Sequence, residues 1–229
     1  VVPLPAFLLD LMLATSIGDK RYNDQYPVSI APEFRARAER MERDYLARVQ
    51  QIDPARLSGQ DLLTYQVFRS GLETEIEGYR FPSHLIPINQ FYSAPNGFAQ
   101  LGSGNGMQPF DTVQAYDNFL KRVDGFVAWT DQAIANMREG TQKGYTLPRV
   151  LAERVLPQLQ AHIVANPEDS IFWGPIRKLP ARFSDADASE DASRQILLRR
   201  RQHCTRFNLL DNMMQMPVSL LLGMVNAHL

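Results

Sequence analysis

The side chains able to do chemistry are few and scattered. The 229-residue chain carries four histidines, His84, His162, His203 and His228, far apart in sequence. A catalytic zinc takes three protein ligands and keeps an open position. Neither an HExxH run nor a histidine pair at helical spacing is present. His84 and His162 with a carboxylate are the one set a fold would have to bring together; dispersed, surface or half-buried histidines are the plainer reading. Serine chemistry meets a similar obstacle. Gly102-Ser103-Gly104 is not GxSxG and no strand is expected before it, whereas a nucleophile elbow needs both. The same glycines make no phosphate loop, because Asn105-Gly106-Met107 stands where Gly-Lys-Ser/Thr would open a helix. They suit a turn or a close approach of backbone to something else.

Charged groups narrow the classes further. Glu73 and Glu77, with Glu75 near, share a helix face. Two buried carboxylates there would share a proton, but the Leu72/Ile76 stripe faces elsewhere, so a solvated acidic face is expected. Asp185, Asp187, Glu190 and Asp191 cluster without the spacing or glycine of an EF-hand. Arg199 to Arg201 read as a solvated helix turn. With 24 basic and 25 acidic residues the net charge is −1, which gives no electrostatic case for nucleic acid or an anionic membrane. Cys204 is the only cysteine, so no intrachain disulfide forms; this fits a reducing compartment without requiring one. No run approaches the roughly 18 apolar residues of a membrane span. The opening VVPLPAFLLDLMLA lacks a basic n-region and carries Asp10, so it reads as a short amphipathic helix. Val1 is not Met, so an upstream export signal, and with it an exported or periplasmic location, stays open.

The elements that must position these groups are helical. Hydrophobic periodicity predicts an all-α fold of about six helices around one core, with a long ordered loop at residues 81–110. A first helix is expected over 3–14. A second starts at Pro32, with Phe34, Ala38, Met41, Tyr45 and Val49 inside, and runs to about Ile52. Asp53-Pro54 breaks it. Ser58 looks like an N-cap, with Asp61 as a weaker partner in a capping box, for a third helix of about 20 residues striped by Leu62, Tyr65, Phe68, Leu72, Ile76 and Tyr79. An antiparallel hairpin follows from the short connection. Asp111 is placed as the cap of a long helix with Val113, Tyr116, Leu120, Val123, Val127, Ile134 and Met137 inside. Gly125 bends or splits it, and Gly140 and Gly144 end it. Pro148 opens another helix, kinked by Pro157. The segment SIFWGPIRKLPARFS reads as irregular and aromatic.

Two stretches break the helical pattern. Phe81–Phe110 holds four prolines and four glycines, and a connection of that length is functional or disordered as a rule. Its many apolar residues favour order, with Leu85, Ile86, Ile88 and Phe98 buried. The second is Arg194–Leu229, with four of the eight methionines. Its apolar run is either a core helix or an interaction surface that repacks against partners.

The run ATSIGDKRYND, the segment LIPINQ, the phrase QPFDTVQAYDNFLKRVDGF and the pair AIANMREGTQKGYTLPRVLAERVLPQL resemble the bacterial family named domain of unknown function 885. The resemblance covers about residues 6–183 and is most specific from Gln108 to Leu159. There Pro109-Phe110, Tyr116, Arg122, Arg138-x-Gly140, Gly144 and Pro148 stand in the expected order. It divides the chain into a helical region at 1–183 and a divergent acidic linker and Arg/Met-rich tail at 184–229.

The resemblance implies a largely α-helical protein similar to zinc metallopeptidases of the oligopeptidase and carboxypeptidase kind. The family's zinc motif begins His-Glu, continues to Pro-Gly-His, and lies in the C-terminal half of longer members. Nothing here matches it. The implied role is therefore the N-terminal helical half of such a protein, one wall of a substrate cleft, inactive alone. No catalytic or metal residue is assigned to this chain, and zinc is expected only in full-length relatives. Its partners would be the missing C-terminal half or a peptide substrate. A loop lining that cleft would offer Asn89, Gln90, Tyr92 and Gln100, whose amides and phenol suit a peptide's hydrogen-bonding edge. Arg122 or Arg138 would take a peptide carboxylate, since guanidinium matches it bidentately; helix-surface ion pairs are the more ordinary use of both. The alternative is a non-catalytic helical protein-interaction module working through the tail.

Overall fold

The structure, a computed structural model, describes residues 11–178. Among them seven α-helices form and no strand does: α1 Leu11–Ser16, α2 Pro32–Gln50, α3 Gly59–Gly78, α4 Ala94–Gly102, α5 Val113–Gln142, α6 Arg149–Gln160 and α7 Gly174–Arg177. The all-α expectation holds. The first ten residues, the acidic stretch and the Arg/Met-rich tail lie outside the described residues.

The single expected core divides into two compact units, residues 11–28 with 85–178, and Ser29–His84. The second unit is the hairpin of α2 and α3. Pro32 opens α2 in its first turn, where its missing N–H costs no helical bond. Asp53 takes the N–H of Ala55 at 3.0 Å to turn the chain. Ser58 stands at the N-cap of α3, but its hydroxyl makes no capping bond, so the capping box with Asp61 does not form. Two packed helices bury little. Ala38, Val49 and Leu72 are buried; Leu62, Tyr65, Ile76 and Tyr79 are half-buried, and Phe68 is 41% exposed. The stripe has the expected face and is only partly covered within the hairpin. Glu73, Glu75 and Glu77 are exposed as expected, and Glu73 pairs with Arg69 at 2.8 Å.

The first unit is built on α5. Thirty residues at about 1.5 Å each make it roughly 45 Å long. Its cap is Thr112, which accepts from the Ala115 N–H at 3.1 Å, one residue after the expected Asp111. Its buried face runs from Tyr116 and Phe119 through Phe126 to Met137. Gly125 does not split α5: the helix is continuous through it. A Cβ there would lie 2.5 Å from the Tyr26 carbonyl oxygen. Gly140 likewise sits inside the helix, where a Cβ would meet the Tyr145 oxygen at 2.7 Å and the Leu85 oxygen at 2.9 Å. Both glycines let other segments of backbone lie against α5. The helix ends at Gln142, followed by Gly144 in the left-handed region at φ 77°.

The stretch 81–110 is not one long loop. It contains a 3-10 turn at Ser83–Leu85 and the nine-residue helix α4. Ser93 caps α4 and Pro95 falls in its first turn, so a residue that reads as a breaker here starts a helix. Leu85, Ile88 and Phe98 are buried as expected, and Ile86 is half-buried. Phe98 is the centre of the unit's core. It stacks on Phe126 with centroids 4.2 Å apart and planes 3° apart. Tyr26 meets it edge-on at 5.3 Å, and Phe119 lies at 5.5 Å. The aromatic segment after α6 is also more ordered than expected. A 3-10 turn at Ile171–Trp173 leads into α7 and buries Phe172, Trp173 and Ile176. The Tyr116 hydroxyl donates to the Pro175 carbonyl at 2.9 Å.

Candidate functional site

The chain reaches α4 through a tight turn. The Asn89 side-chain oxygen accepts from the N–H groups of Phe91 and Tyr92 at 2.9 and 2.8 Å. The Asn89 N–H donates to the Tyr92 carbonyl at 3.1 Å. Asn89 is therefore spent on shaping the turn rather than offered to a ligand. What the turn offers are two rings in water, Phe91 at 82% and Tyr92 at 79% exposure.

Beside this turn three polar side chains, Gln158, Asn96 and His162, and the main-chain carbonyl of Gln90 form a chain of hydrogen bonds. The Gln158 side-chain amide donates to the Gln90 main-chain carbonyl at 3.3 Å. A main-chain carbonyl only accepts, and this fixes every orientation that follows. The Gln158 Oε1 must then be an acceptor, and Asn96 Nδ2 donates to it at 3.0 Å. Asn96 Oδ1 is left as an acceptor, and His162 Nε2 lies 2.8 Å from it. So the proton of His162 sits on Nε2, and Nδ1 carries the lone pair. Burial holds the His162 pKa below its ordinary value, which keeps the ring neutral at neutral pH. The relay orients one imidazole nitrogen as an acceptor, with no partner for it among the described residues. The Gln90 Oε1 is a second acceptor, buried with no donor. An acceptor left so costs about 1–3 kcal/mol.

The remaining sequence candidates fall elsewhere. Gln100 and Arg138 are exposed and belong to α4 and α5. Arg122 is a correction. It is 0% exposed, so it is neither a helix-surface ion pair nor a group open to an outside carboxylate. Its guanidinium donates to Gln108 Oε1, to Thr15 Oγ1 at 2.6 Å, and to the carbonyls of Tyr22 at 3.0 Å and Gln25 at 3.2 Å. Burial lowers its pKa to about 10, so it is still a cation at neutral pH. All four acceptors are uncharged. Arg122 pins α1, the 20–25 segment and the approach to α5 together.

No three His, Cys, Asp or Glu side chains gather as a metal needs among the described residues, so His84, His162 and a carboxylate do not form a zinc site there. His203 and His228 lie outside the described residues. No described helix is long and apolar enough to cross a membrane. Sequence reading missed Asn96 and Gln158, and weighed His162 only as a zinc ligand. These residues lie 62 and 66 positions apart, and only the fold joins them.

A family model described as "Bacterial protein of unknown function (DUF885)" matches residues 12–208. No curated protein matches the chain, and neither does any solved structure.

Proposed function

We propose a role for this chain within the family it belongs to, the bacterial proteins of unknown function DUF885: it forms one helical wall of a peptide-binding cleft in a metallopeptidase-like protein. The observation that carries the reading is the edge at Gln90–Tyr92. It sets two exposed rings beside an amide relay that ends on His162, whose Nδ1 has no partner among the described residues. Side chains of this kind suit the backbone and apolar groups of a peptide. The described residues do not fit a zinc ion, so no catalytic step is assigned to them. On this reading the metal and its base come from the C-terminal half of longer relatives.

The test is reconstitution. The purified chain is mixed with the C-terminal half of a longer family member, and zinc-dependent cleavage of a peptide library is followed by mass spectrometry. The expected result is association and cleavage that neither half gives alone. Replacing Phe91 and Tyr92 by serine then raises KM several-fold and leaves kcat near its starting value, because the rings bind without touching the reacting atoms. Halves that neither associate nor cleave would remove the reading.

A further inference from the structure

We infer that Asn105-Gly106 is a self-modification site, where Asn105 loses its amide to become aspartate or isoaspartate, while the second Asn-Gly pair, Asn96-Gly97, is locked by the fold. The inference does not depend on the peptide-binding role above. The chemistry is local. The Gly106 nitrogen gives its proton to hydroxide and attacks Asn105 Cγ. The new C–N bond closes a five-membered imide as the C–Nδ2 bond breaks and ammonia leaves. Water then adds to either imide carbonyl and opens the ring. One water is consumed and one ammonia released, with no change of oxidation state.

Three observations separate the two pairs. The first is the attacking nitrogen. Asn105 and Gly106 are both exposed, in the non-helical turn after α4, and the Gly106 N–H donates to no group among the described residues. The Gly97 N–H lies inside α4 and donates to the Ser93 carbonyl at 2.9 Å. The second is the carboxamide. Asn105 Oδ1 accepts from the Lys178 ammonium at 2.9 Å, so a cation stands where negative charge gathers in the tetrahedral intermediate. Asn96 has both ends of its carboxamide engaged, Nδ2 on Gln158 and Oδ1 on His162. The third is the glycine itself. A Cβ at position 106 would lie 2.7 Å from the Gln100 carbonyl oxygen, so packing against the end of α4 requires the residue type that hinders ring closure least. Once Asn105 is converted to aspartate, its carboxylate meets Lys178 as an ion pair in place of the amide's hydrogen bond.

The test incubates the full chain at mildly alkaline pH in heavy-oxygen water and follows both asparagines by peptide mass spectrometry over days. The peptide holding Asn105 should exchange its amide for a carboxyl carrying one heavy oxygen, about tenfold or more faster than the peptide holding Asn96. In urea the two rates should agree within about twofold, because both pairs are then equally free. Lys178→Met should slow Asn105 about threefold, the scale of one exposed charged contact, and leave Asn96 unchanged. An Asn105 that keeps its amide in the folded chain while converting in urea overturns the inference, and so do equal rates at the two sites in the folded chain. An unchanged Asn105 rate in Lys178→Met overturns the part given to the ammonium.

Discussion

Replacing Arg122 by methionine tests whether a buried cation with only neutral hydrogen-bond acceptors holds the first unit together. Methionine fills similar volume without charge. Four hydrogen bonds disappear. The carbonyls of Tyr22 and Gln25 are part-buried and can take water instead. The Thr15 hydroxyl keeps Leu11 O and Asn23 Oδ1 within reach, at 3.1 and 3.0 Å. Gln108 fares worst: its Nε2 already lacks a partner, and its Oε1 would lose the one it has. Stranding that carboxamide costs about 1–3 kcal/mol, and the other lost bonds add to it. Relief of the buried charge offsets part, since a desolvated ion is itself costly. The net expectation is a loss of about 2–4 kcal/mol, or roughly 5–12 °C in Tm for a chain of this size. Trp129 and Trp173 are both buried in the same unit, so urea unfolding followed by tryptophan fluorescence reports on it. Gln108→Leu alone should also destabilise. The double variant should lose less than the sum, by about 1–2 kcal/mol, because neither group is then stranded. An Arg122→Met protein within about 0.5 kcal/mol of the parent, or a strictly additive pair, would refute the account.

Further outcomes follow from the same geometry. Phe98→Ala should cost about 3–5 kcal/mol in urea unfolding, because the ring is buried among Tyr26, Phe119 and Phe126. Gly125→Ala should destabilise through its clash with the Tyr26 backbone, whereas Gly71→Ala, in α3 with nothing within 4 Å, should stabilise by about 0.5–1 kcal/mol in the same assay. The His162 pKa is depressed in the fold, so below the ordinary value near 6.5 the unfolded chain binds the proton first. The contribution of the neutral ring is thus present above that value and is lost as pH falls toward the folded pKa. Thermal melts from pH 8 to 5 should show a decline that flattens in His162→Gln.

The long amphipathic helices were legible because their apolar residues repeat at three and four: Ala38 to Val49, Leu62 to Tyr79, Tyr116 to Met137. The helix α4 was not. It has nine residues, with Pro95, Gly97 and Gly102 among them, so turn formers outnumber the periodic signal, and only the packing of Phe98 shows that it is a core element. Gly125 and Gly140 looked like breaks because sequence shows a missing side chain but not what lies against the gap. Arg122 looked exposed because charge predicts solvent, and its four partners sit 14 to 107 residues away. The candidate edge was half legible. Gln90 and Tyr92 came from the composition of an unusual stretch, and Asn89 came with them although its carboxamide closes a turn. Asn96, Gln158 and His162 carry no local pattern that marks them as neighbours.

The hairpin of α2 and α3 has a kinetic meaning. It spans Ser29–His84, 56 residues inserted between the two parts of the other unit. An unstructured loop of that length would have to close before Tyr26 and Leu85 could settle on the glycines of α5, at an entropic cost that grows with loop length. The hairpin removes most of that search. Its ends are already together, with the Arg35 guanidinium 5.2 Å from the centre of the Tyr79 ring, and its contacts are local enough to form early. Once folded, it hands the chain back near where it left. The 56 residues then act in the folding of the larger unit as a short tether, and lengthening the turn at Asp53–Ser58 should leave that unit's folding rate almost untouched.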